Sequence, residues 1–399
     1  MSQKYSYLIL GAGKQGVAAA YDVIRFGNAE KVTLADASFS FAKKAVERLK
    51  KLLGPTLRKN KTVLAAFQVN GKNPADLRKV IQGHDALLSA LPYYLNANVA
   101  RAAISAGVNY CDLGGYFDAT REIMKLSDAA KRAGVSLITD CGVSPGMCNS
   151  LAACGIAEMD SVDAVRIYCG GLPQKPKPPL NYKIVFNLEG VIGNYFGKSY
   201  VLRNGAIKLD AAFSGKEVVD VGAPLGKLEA MVTGGATSTC PWTYKGKIRH
   251  YDYKTLRWPG HWDKIQTLKD LGLLETEKVQ VNGSSVAPRD LFVAVAGPKL
   301  RFEGDRDLLI LQVNVAGRKS GKPLQIIYRV LDYEDPKTGF TAMQRTTGFS
   351  AAIVLQMLAR GLVTEKGFVP VEKAVPGRYF LDEVKKRGIQ VKEIVKSVK

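Results

Sequence analysis

A glycine-rich turn near the N-terminus constrains the fold of this chain more than any other feature. Gly11, Gly13 and Gly16 form a G-x-G-x-x-G pattern between an apolar segment at 5–10 and an amphipathic segment at 15–26. A strand, a tight glycine turn and a helix in that order open a βαβ unit, in which the helix N-terminus offers free N–H groups to a pyrophosphate. The sequence therefore predicts a dinucleotide-binding domain.

The residue after the second predicted strand, at 31–35, indicates which dinucleotide is bound. Asp36 follows Gly16 by 20 residues, and a carboxylate there accepts hydrogen bonds from both ribose hydroxyls and repels a 2′-phosphate. NAD is therefore favoured over NADP, although Lys43 and Lys44 keep NADP as the alternative. The predicted cofactor-binding residues are Gly11, Gly13, Lys14, Gln15, Gly16, Asp36, Asn70, Ser89, Ala90, Leu91, Asp112 and Pro145.

The order of predicted elements defines the fold class. Strands alternate with helices up to about residue 140, with helices at 15–26, 40–53, 73–81, 96–105 and 118–132. Later segments, among them 166–171, 182–187 and 308–316, are strand-like and separated by Gly/Pro turns. We therefore expect an α/β protein with a Rossmann-type doubly wound parallel sheet and a second, mixed α+β domain. The first domain should span 1–145 and be completed by 345–399, whose helix begins near 346; the substrate-binding and dimerisation domain should span 146–344.

Composition excludes several other classes. The net charge is +21, but the basic residues are dispersed and form no basic tail, so we expect a solvated surface and no nucleic-acid partner. No apolar run approaches the length of a membrane span, and with a strand beginning near residue 5 we expect a cytoplasmic protein. The six cysteines form no C-x-x-C pair and have no histidine at ligand spacing, so no metal site is expected.

Two acidic residues end predicted strands where a ligand of a parallel sheet lies. Asp112 and Asp140 both follow apolar segments, and Asp112 is followed by two glycines. A carboxylate at a strand end is partly desolvated and can act as a base. For Asp140, capping of the next helix explains the residue equally well. Asp112 is therefore the predicted catalytic carboxylate.

A second group of polar residues lies between residues 253 and 262. Arg257 could hold a carboxylate through two hydrogen bonds, with Lys254 as a further cation, and His261 could transfer protons near neutral pH. An ordinary surface loop with aromatic residues explains the same composition equally well.

Several motifs together resemble one known family. They are GAGKQG at 11–16, DLGGY at 112–116, the D-x-G-x-x-P-G run at 140–146, GGLPQKPKPPLNYKIVFNLEGV at 170–191, TGGATST at 233–239 and YKTLRWPGH at 253–261. They span nearly the whole chain in order, and they resemble the saccharopine dehydrogenase-like family of amino-acid oxidoreductases. This resemblance implies a small amino-acid substrate and a homodimer.

Within that family the pattern is most similar to the lysine 6-dehydrogenases, which implies NAD-dependent oxidative deamination of the 6-amino group of L-lysine. Saccharopine-forming members carry an arginine where this chain has Glu189, and an acid there fits an amine-bearing substrate. Arg257 would bind the α-carboxylate, Asp112 or His261 would accept the amine proton, and by analogy Tyr93 and Thr237 would orient the substrate. The alternatives are an NADP-linked saccharopine or carboxynorspermidine-type dehydrogenase and, in another class, a non-catalytic dinucleotide-sensing protein.

Overall fold

A computed structural model describes residues 3–302 and 304–397 of the chain. The strands, in chain order, are β1 (Tyr5–Leu10), β2 (Ala29–Asp36), β3 (Val63–Gln68), β4 (Ala86–Ser89), β5 (Asn109–Asp112), β6 (Ser136–Ile138), β7 (Ser161–Pro173), β8 (Lys198–Arg203), β9 (Ala206–Ala211), β10 (Glu217–Asp220), β11 (Lys227–Val232), β12 (His250–Arg257), β13 (Val279–Val281), β14 (Ser284–Val286), β15 (Asp307–Lys319), β16 (Lys322–Tyr333), β17 (Gly367–Phe368) and β18 (Val391–Ser397).

Helices connect most of these strands. They are α1 (Lys14–Phe26), α2 (Phe39–Asn60), α3 (Pro74–Ile81), α4 (Asn96–Ala106), α5 (Phe117–Met124), α6 (Ser127–Arg132), α7 (Met147–Ala157), α8 (Leu188–Gly193), α9 (Cys240–Thr243), α10 (His261–Asp270), α11 (Pro288–Lys299), α12 (Ala342–Ala359), α13 (Val371–Ala374) and α14 (Gly377–Lys386). None of the helices in the described ranges combines the length and the apolarity that a membrane crossing requires.

The first sheet has seven parallel strands in the order β17-β6-β5-β4-β1-β2-β3. β1 and β4 are buried along their whole length, as expected for central strands that helices cover on both faces. The strand order reverses between β1 and β4, and at such a switch point the crevice beyond the carboxyl ends holds the ligand. The predicted Rossmann-type sheet is therefore confirmed.

The second sheet has nine strands and is mixed. β7 and β12 pair in parallel, whereas β7–β15, β15–β16 and β11–β12 are antiparallel. Helices α7 and α12 pack against β15 on the face that is turned toward the first domain. This sheet confirms the predicted second domain of mixed α+β type, and the face covered by the helices leads to the crevice between the domains.

The C-terminal part of the chain contributes to both sheets. α12 packs against α1, so closely that a Cβ on Gly348 would lie 2.7 Å from Cβ of Ala18. β17 extends the parallel sheet, but β18 pairs with β16 at the edge of the second sheet. The final strand therefore differs from the expected division, in which all of 345–399 completes the first domain.

Three predicted elements differ from the structure. Residues 182–187 are irregular instead of a strand, and the helix expected at 118–132 is two helices, α5 and α6. The polar group at 253–262, for which a surface loop was the alternative, begins in β12 within the second sheet. This last difference matters most, because a strand directs alternate side chains to opposite faces.

Candidate active site

The glycine turn has the geometry that dinucleotide binding requires. Gly11 has a φ of +98°, and a Cβ there would lie 2.6 Å from the carbonyl oxygen of Ala90. A Cβ on Gly16 would lie 1.9 Å from the carbonyl oxygen of Gly11. Gly13 differs, since nothing lies within 4 Å of its Cβ position. Gly11 and Gly16 are thus required by packing within the protein, whereas the space in front of Gly13 is open at the N-terminus of α1.

The carboxylate of Asp36 is directed back toward this turn. One oxygen accepts a hydrogen bond from the backbone N–H of Ala12 at 2.9 Å, and the other accepts from the N–H of Ser38 at 3.0 Å. Within the described ranges no Lys or Arg nitrogen lies within 4 Å of this carboxylate, and Lys43 and Lys44 are exposed on α2. A negative charge is therefore held at the end of β2, where a ribose would lie.

The other predicted cofactor residues lie along the same crevice with different environments. Gln15 and Pro145 line the cavity described below, and the buried Oε1 of Gln15 has no hydrogen-bond partner among the described residues. Ser89 is buried and donates to Asn96. Four further residues stay predictions. Two are exposed and two are partly buried: Lys14 and Asn70, and Ala90 and Leu91.

These features fit a nicotinamide dinucleotide. The open space at Gly13 would accommodate a pyrophosphate, the Asp36 carboxylate would accept from a ribose, and the unpartnered Gln15 oxygen would accept from a carboxamide. The fit rests on the open space at Gly13 and on the unpaired buried oxygen of Gln15, and the second of these costs free energy without a hydrogen-bond donor.

Two glycine substitutions separate cofactor binding from folding. Gly13→Ala introduces a methyl group into open space at a φ of −73° that any residue adopts. We expect it to leave stability within about 0.5 kcal/mol and to weaken NADH or NADPH binding about 10- to 100-fold, since the methyl group would contact the pyrophosphate. Fluorescence titration and thermal unfolding measure the two effects.

Gly16→Ala is the matched control, because its methyl group would overlap the carbonyl oxygen of Gly11. We expect this variant to lose stability as well as binding. Undiminished cofactor binding by Gly13→Ala would contradict the assignment of the cradle.

A cavity of about 270 Å³ lies between the two domains next to the glycine turn. Its walls come from α1, α8, α12, β7 and β12, and from the loops after β5, β6, α8 and β11. The polar side chains that line it are Gln15, Ser144, Asn194, Tyr195, Thr233, Tyr253, Thr255, Arg257 and Thr347, together with the thiol of Cys169.

Arg257 is the charged side chain of this cavity. It is only 5% exposed, yet no Asp or Glu oxygen in the described ranges lies within 4 Å of its guanidinium. Its cross-strand neighbour Glu229 is engaged instead by Lys216 and by the N–H of Gly260. A buried cation without a counter-ion is costly, so this position is suited to an anionic ligand, and the predicted contact with a carboxylate stays a prediction.

His261 does not reach the cavity, which corrects its predicted role as a proton acceptor. It is 1% exposed, its Nδ1 lies 2.8 Å from the carbonyl oxygen of Leu180 and its Nε2 lies 3.2 Å from the hydroxyl of Tyr195. Burial, followed by the nearby charge of Arg257, lowers the pKa of His261 to about 3. A histidine of this kind stays neutral and does not exchange protons with a substrate at neutral pH.

Asp112 also lies outside the cavity lining. Its carboxylate accepts from the hydroxyl of Tyr110 at 2.7 Å and from the backbone N–H groups of Gly114 and Asp140 at 2.8 and 3.0 Å. Burial and the neighbouring Asp140 raise the pKa of Asp112. The backbone of Gly114 and Gly115 forms the cavity wall at this point. Asp112 therefore supports that wall. Its carboxylate does not line the cavity, so it lacks the contact with a substrate that the predicted role as a base requires.

Asp140 joins the two domains. Its Oδ2 accepts from the hydroxyls of Thr120 and Thr139, both at 2.9 Å, and from Ser238 of the second domain at 2.7 Å. Burial raises the pKa of this carboxyl group, and these three hydrogen bonds oppose the rise. The sequence left two explanations of Asp140 open, catalysis and capping of the next helix. The structure shows a third, a contact between the two domains.

Four predicted substrate-binding residues are not part of the cavity lining. Tyr93 is 46% exposed and packs on Tyr116, Glu189 is exposed on α8, and the hydroxyl of Thr237 donates to the carbonyl of Tyr200. Lys254 pairs with Glu217 on the opposite face of β12. The strand period explains Lys254, since residues 253, 255 and 257 share the cavity face and 254 points away.

Sequence reasoning missed a chain of hydroxyl groups in the cavity wall. The hydroxyls of Thr233 and Thr255 lie 2.7 Å apart, and Thr255 donates to the hydroxyl of Tyr253 at 3.2 Å. The spacing of Tyr253, Thr255 and Arg257 is the period-two signal that could have identified them. Recognising β12 as a strand would have placed all three on one face.

Comparisons with known proteins agree with this architecture. Sequence models of the Saccharopine dehydrogenase NADP binding domain and the Saccharopine dehydrogenase C-terminal domain match residues 7–138 and 142–389. Saccharopine dehydrogenase [NADP(+), L-glutamate-forming] of Schizosaccharomyces pombe is 23% identical over 82% of this chain and 88% of its own length. The mitochondrial alpha-aminoadipic semialdehyde synthase of Bos taurus is 24% identical over 80% of this chain, which spans only 41% of that longer protein.

A solved structure matches at the level of the fold. Saccharopine dehydrogenase (L-Glu forming) from Saccharomyces cerevisiae aligns with a TM-score of 0.76 over 98% of this chain and 100% of that chain, at 18% identity. The dinucleotide cradle, the two domains and the family matches define an NAD(P)-dependent oxidoreductase that acts on CH–NH groups of amino acids. The chain belongs to the saccharopine dehydrogenase family.

Proposed function

We propose that this enzyme oxidises the 6-amino group of L-lysine with NAD, giving the semialdehyde and ammonia. The observation that carries the proposal is the composition of the cavity wall. Among the described lining residues Arg257 is the one cation, and it has no counter-ion. A single buried cation fits a substrate that places one carboxylate in the cavity, whereas saccharopine has three carboxylates to compensate.

Glu189, which the sequence suggested as the acid that attracts the substrate amine, does not line the cavity. Glu189 is exposed on α8, whereas the cavity is lined by Val191 of that helix and by Asn194, which directly follows it. The preference for a free amine therefore depends on the absence of further cations in the described lining and no longer on an acid that attracts the amine.

Each polar part of the substrate has a proposed partner in the cavity wall. Arg257 binds the α-carboxylate, and the hydroxyls of Thr233, Thr255 and Tyr253 hydrogen-bond the nitrogen groups. The bound dinucleotide supplies the acceptor for the hydride that leaves the carbon next to the 6-amino nitrogen. Nitrogen loses a proton in the same oxidation, and water then hydrolyses the C=N bond to an aldehyde and ammonia.

The fate of that proton follows from the side chains present. The lining contains no carboxylate or imidazole in the described ranges. Burial raises the pKa of Cys169 and of Tyr253, so neither is ionised at neutral pH. The amine therefore gives up its proton to water, and the hydroxyl chain orients the neutral amine.

Asp36 supports NAD as the cofactor. Asp36→Asn removes the charge but keeps an oxygen that accepts from the N–H of Ala12. We expect the ratio of kcat/KM with NAD to kcat/KM with NADP to fall about 10- to 100-fold, because repulsion of the 2′-phosphate disappears and the ribose hydrogen bonds weaken. Steady-state kinetics with each cofactor measures this ratio.

The paired substitution Lys43→Ala with Lys44→Ala serves as the control. It removes the exposed cations that the sequence associates with NADP and should leave the NAD reaction unchanged. A wild-type enzyme that prefers NADP would contradict the role of Asp36.

A substrate screen tests the proposed activity directly. L-lysine, saccharopine and carboxynorspermidine are each supplied with NAD and with NADP, and formation of the reduced nicotinamide is followed by absorbance. We expect turnover with L-lysine and NAD. The runner-up, a saccharopine or carboxynorspermidine-type dehydrogenase, is favoured by the names of the relatives and predicts turnover only with the secondary amines.

A further inference from the structure

We propose that His261 and Tyr195 are positioning residues that fix which edge of the Arg257 guanidinium faces the substrate carboxylate. The three side chains form one buried chain of hydrogen bonds that ends at the cavity. The proposal rests on the proposed function in one respect, namely that the ligand of Arg257 is a carboxylate. It gives a role to His261, the buried histidine of the second domain, which takes no direct part in the proposed reaction.

The contact between His261 and Leu180 determines which group donates in each hydrogen bond of this series. A carbonyl oxygen only accepts hydrogen bonds, so the contact of 2.8 Å to Leu180 requires a hydrogen on His261 Nδ1. The ring is neutral, because burial and the adjacent Arg257 disfavour its cationic form. Its Nε2 therefore presents a lone pair, and the hydroxyl of Tyr195 at 3.2 Å must donate to it.

Tyr195 transmits this direction to Arg257. Once its hydrogen is directed to His261, the hydroxyl oxygen is free to accept, and Arg257 Nε donates to it at 3.2 Å. Arg257 Nη1 donates a second hydrogen bond to the carbonyl of Leu256 at 2.9 Å. A guanidinium has five N–H donors, so three remain: one on Nη1 and two on Nη2.

Each of the two terminal nitrogens of Arg257 therefore keeps at least one N–H donor for a ligand. Nη1 and Nη2 together form the two-point edge that binds both oxygens of a carboxylate in parallel. The ring of Tyr182, 5.0 Å from the guanidinium carbon, and that of Trp262, at 5.7 Å, pack around the group and restrict its rotation. Tethering Nε to Tyr195 thereby presents the Nη1–Nη2 edge to the ligand.

Substitutions of His261 or Tyr195 should affect recognition of the carboxylate and leave oxidation of the amine intact. In His261→Leu the hydroxyl of Tyr195 loses its acceptor, and in Tyr195→Phe Arg257 Nε loses its partner. We expect each to raise KM for L-lysine about tenfold with kcat changed less than about threefold. KM for cadaverine, which lacks the carboxylate, should stay within about twofold. The double variant should be no worse than either single one, because both break the same chain.

Two further variants separate positioning from a general structural role. His261→Gln retains an acceptor for Tyr195 and should restore KM for L-lysine to within about threefold of wild type. His84→Leu is the matched control, since His84 is also buried and hydrogen-bonded on both ring nitrogens, to Ile81 and Thr33, but lies in the first domain. It should lower thermal stability without changing the ratio of the two KM values.

The tautomer of His261 provides a test that does not depend on the substrate. The chain has three histidines, so ¹⁵N-histidine NMR can resolve each ring, and we expect a neutral His261 with hydrogen on Nδ1. A hydrogen on Nε2, a cationic ring, or equal KM increases for L-lysine and cadaverine would overturn the proposal. If wild type oxidises neither amine, the proposed function fails, and the tautomer still decides whether the chain of hydrogen bonds exists as described.

Discussion

Replacing Arg257 by Gln is expected to lower kcat/KM for L-lysine by about 100- to 1,000-fold. Removing one partner of a buried, charge-assisted pair costs about 3–4 kcal/mol, which corresponds to this range. Arg257 is buried and carries no protein counter-ion in the described ranges, so under the proposed function the carboxylate of the substrate would compensate its charge. Steady-state kinetics with NAD in excess measures the loss.

Arg257→Lys separates charge from geometry. Lysine keeps the positive charge but lacks the planar two-point edge, so an intermediate loss of about 10- to 100-fold is expected. Cadaverine is the control substrate, since it has no carboxylate and should be oxidised by Arg257→Gln nearly as well as by wild type. Parallel losses with both substrates would show that Arg257 supports the fold of the cavity instead of recognising a carboxylate.

Replacing Arg387 by Met is expected to lower the free energy of unfolding by about 3–5 kcal/mol. Arg387 and Asp22 are fully buried, and the guanidinium contacts both oxygens of Asp22 at 2.6 and 3.0 Å and Glu383 at 2.6 Å. Without Arg387, the carboxylate of Asp22 on α1 keeps only its hydrogen bond from Gln356 among the described residues. Urea unfolding monitored by circular dichroism measures the change.

Arg378→Met is the matched control, since Arg378 lies in the first turn of α14 and Arg387 directly follows the last residue of that helix. Arg378 pairs with Glu158 and Glu393, but it is 51% exposed, so solvent screening limits the expected loss to about 1 kcal/mol or less. The combined substitution Asp22→Leu with Arg387→Met should recover most of the stability, because it removes both buried charges together. Equal effects of Arg378→Met and Arg387→Met would contradict this account.

The fold was predictable from local sequence patterns, whereas the burial and direction of individual side chains were not. The turn at 11–16 and the alternation of strands and helices determine a Rossmann-type sheet, since each of these signals is local. Asp112 and His261 have the right chemistry and lie near the site, but both are directed into the protein interior. Sequence spacing places a residue on an element and leaves open what covers its side chain.

Periodicity explains the remaining differences. Residues 182–187, predicted as a strand, are irregular, whereas the polar group predicted at 253–262 begins in β12, where successive side chains alternate between two faces. Lys254 on β12 faces away from the cavity for this reason, and Glu189 on α8 lies outside its lining. Arg257, on the cavity face of the same strand, does line the cavity, and its predicted contact with a substrate carboxylate stays a prediction.

Helix α12 has a mechanical consequence for the whole molecule. It begins where the carboxylate of Asp307 accepts from the N–H groups of Ala342 and Met343, and Gln344 on its first turn donates to the carbonyl of Lys14 beside the glycine turn. One rigid rod thus anchors the sheet of the second domain to the start of α1. We therefore expect the two domains to unfold in one transition, and a dinucleotide bound to the first domain to raise the melting temperature of both.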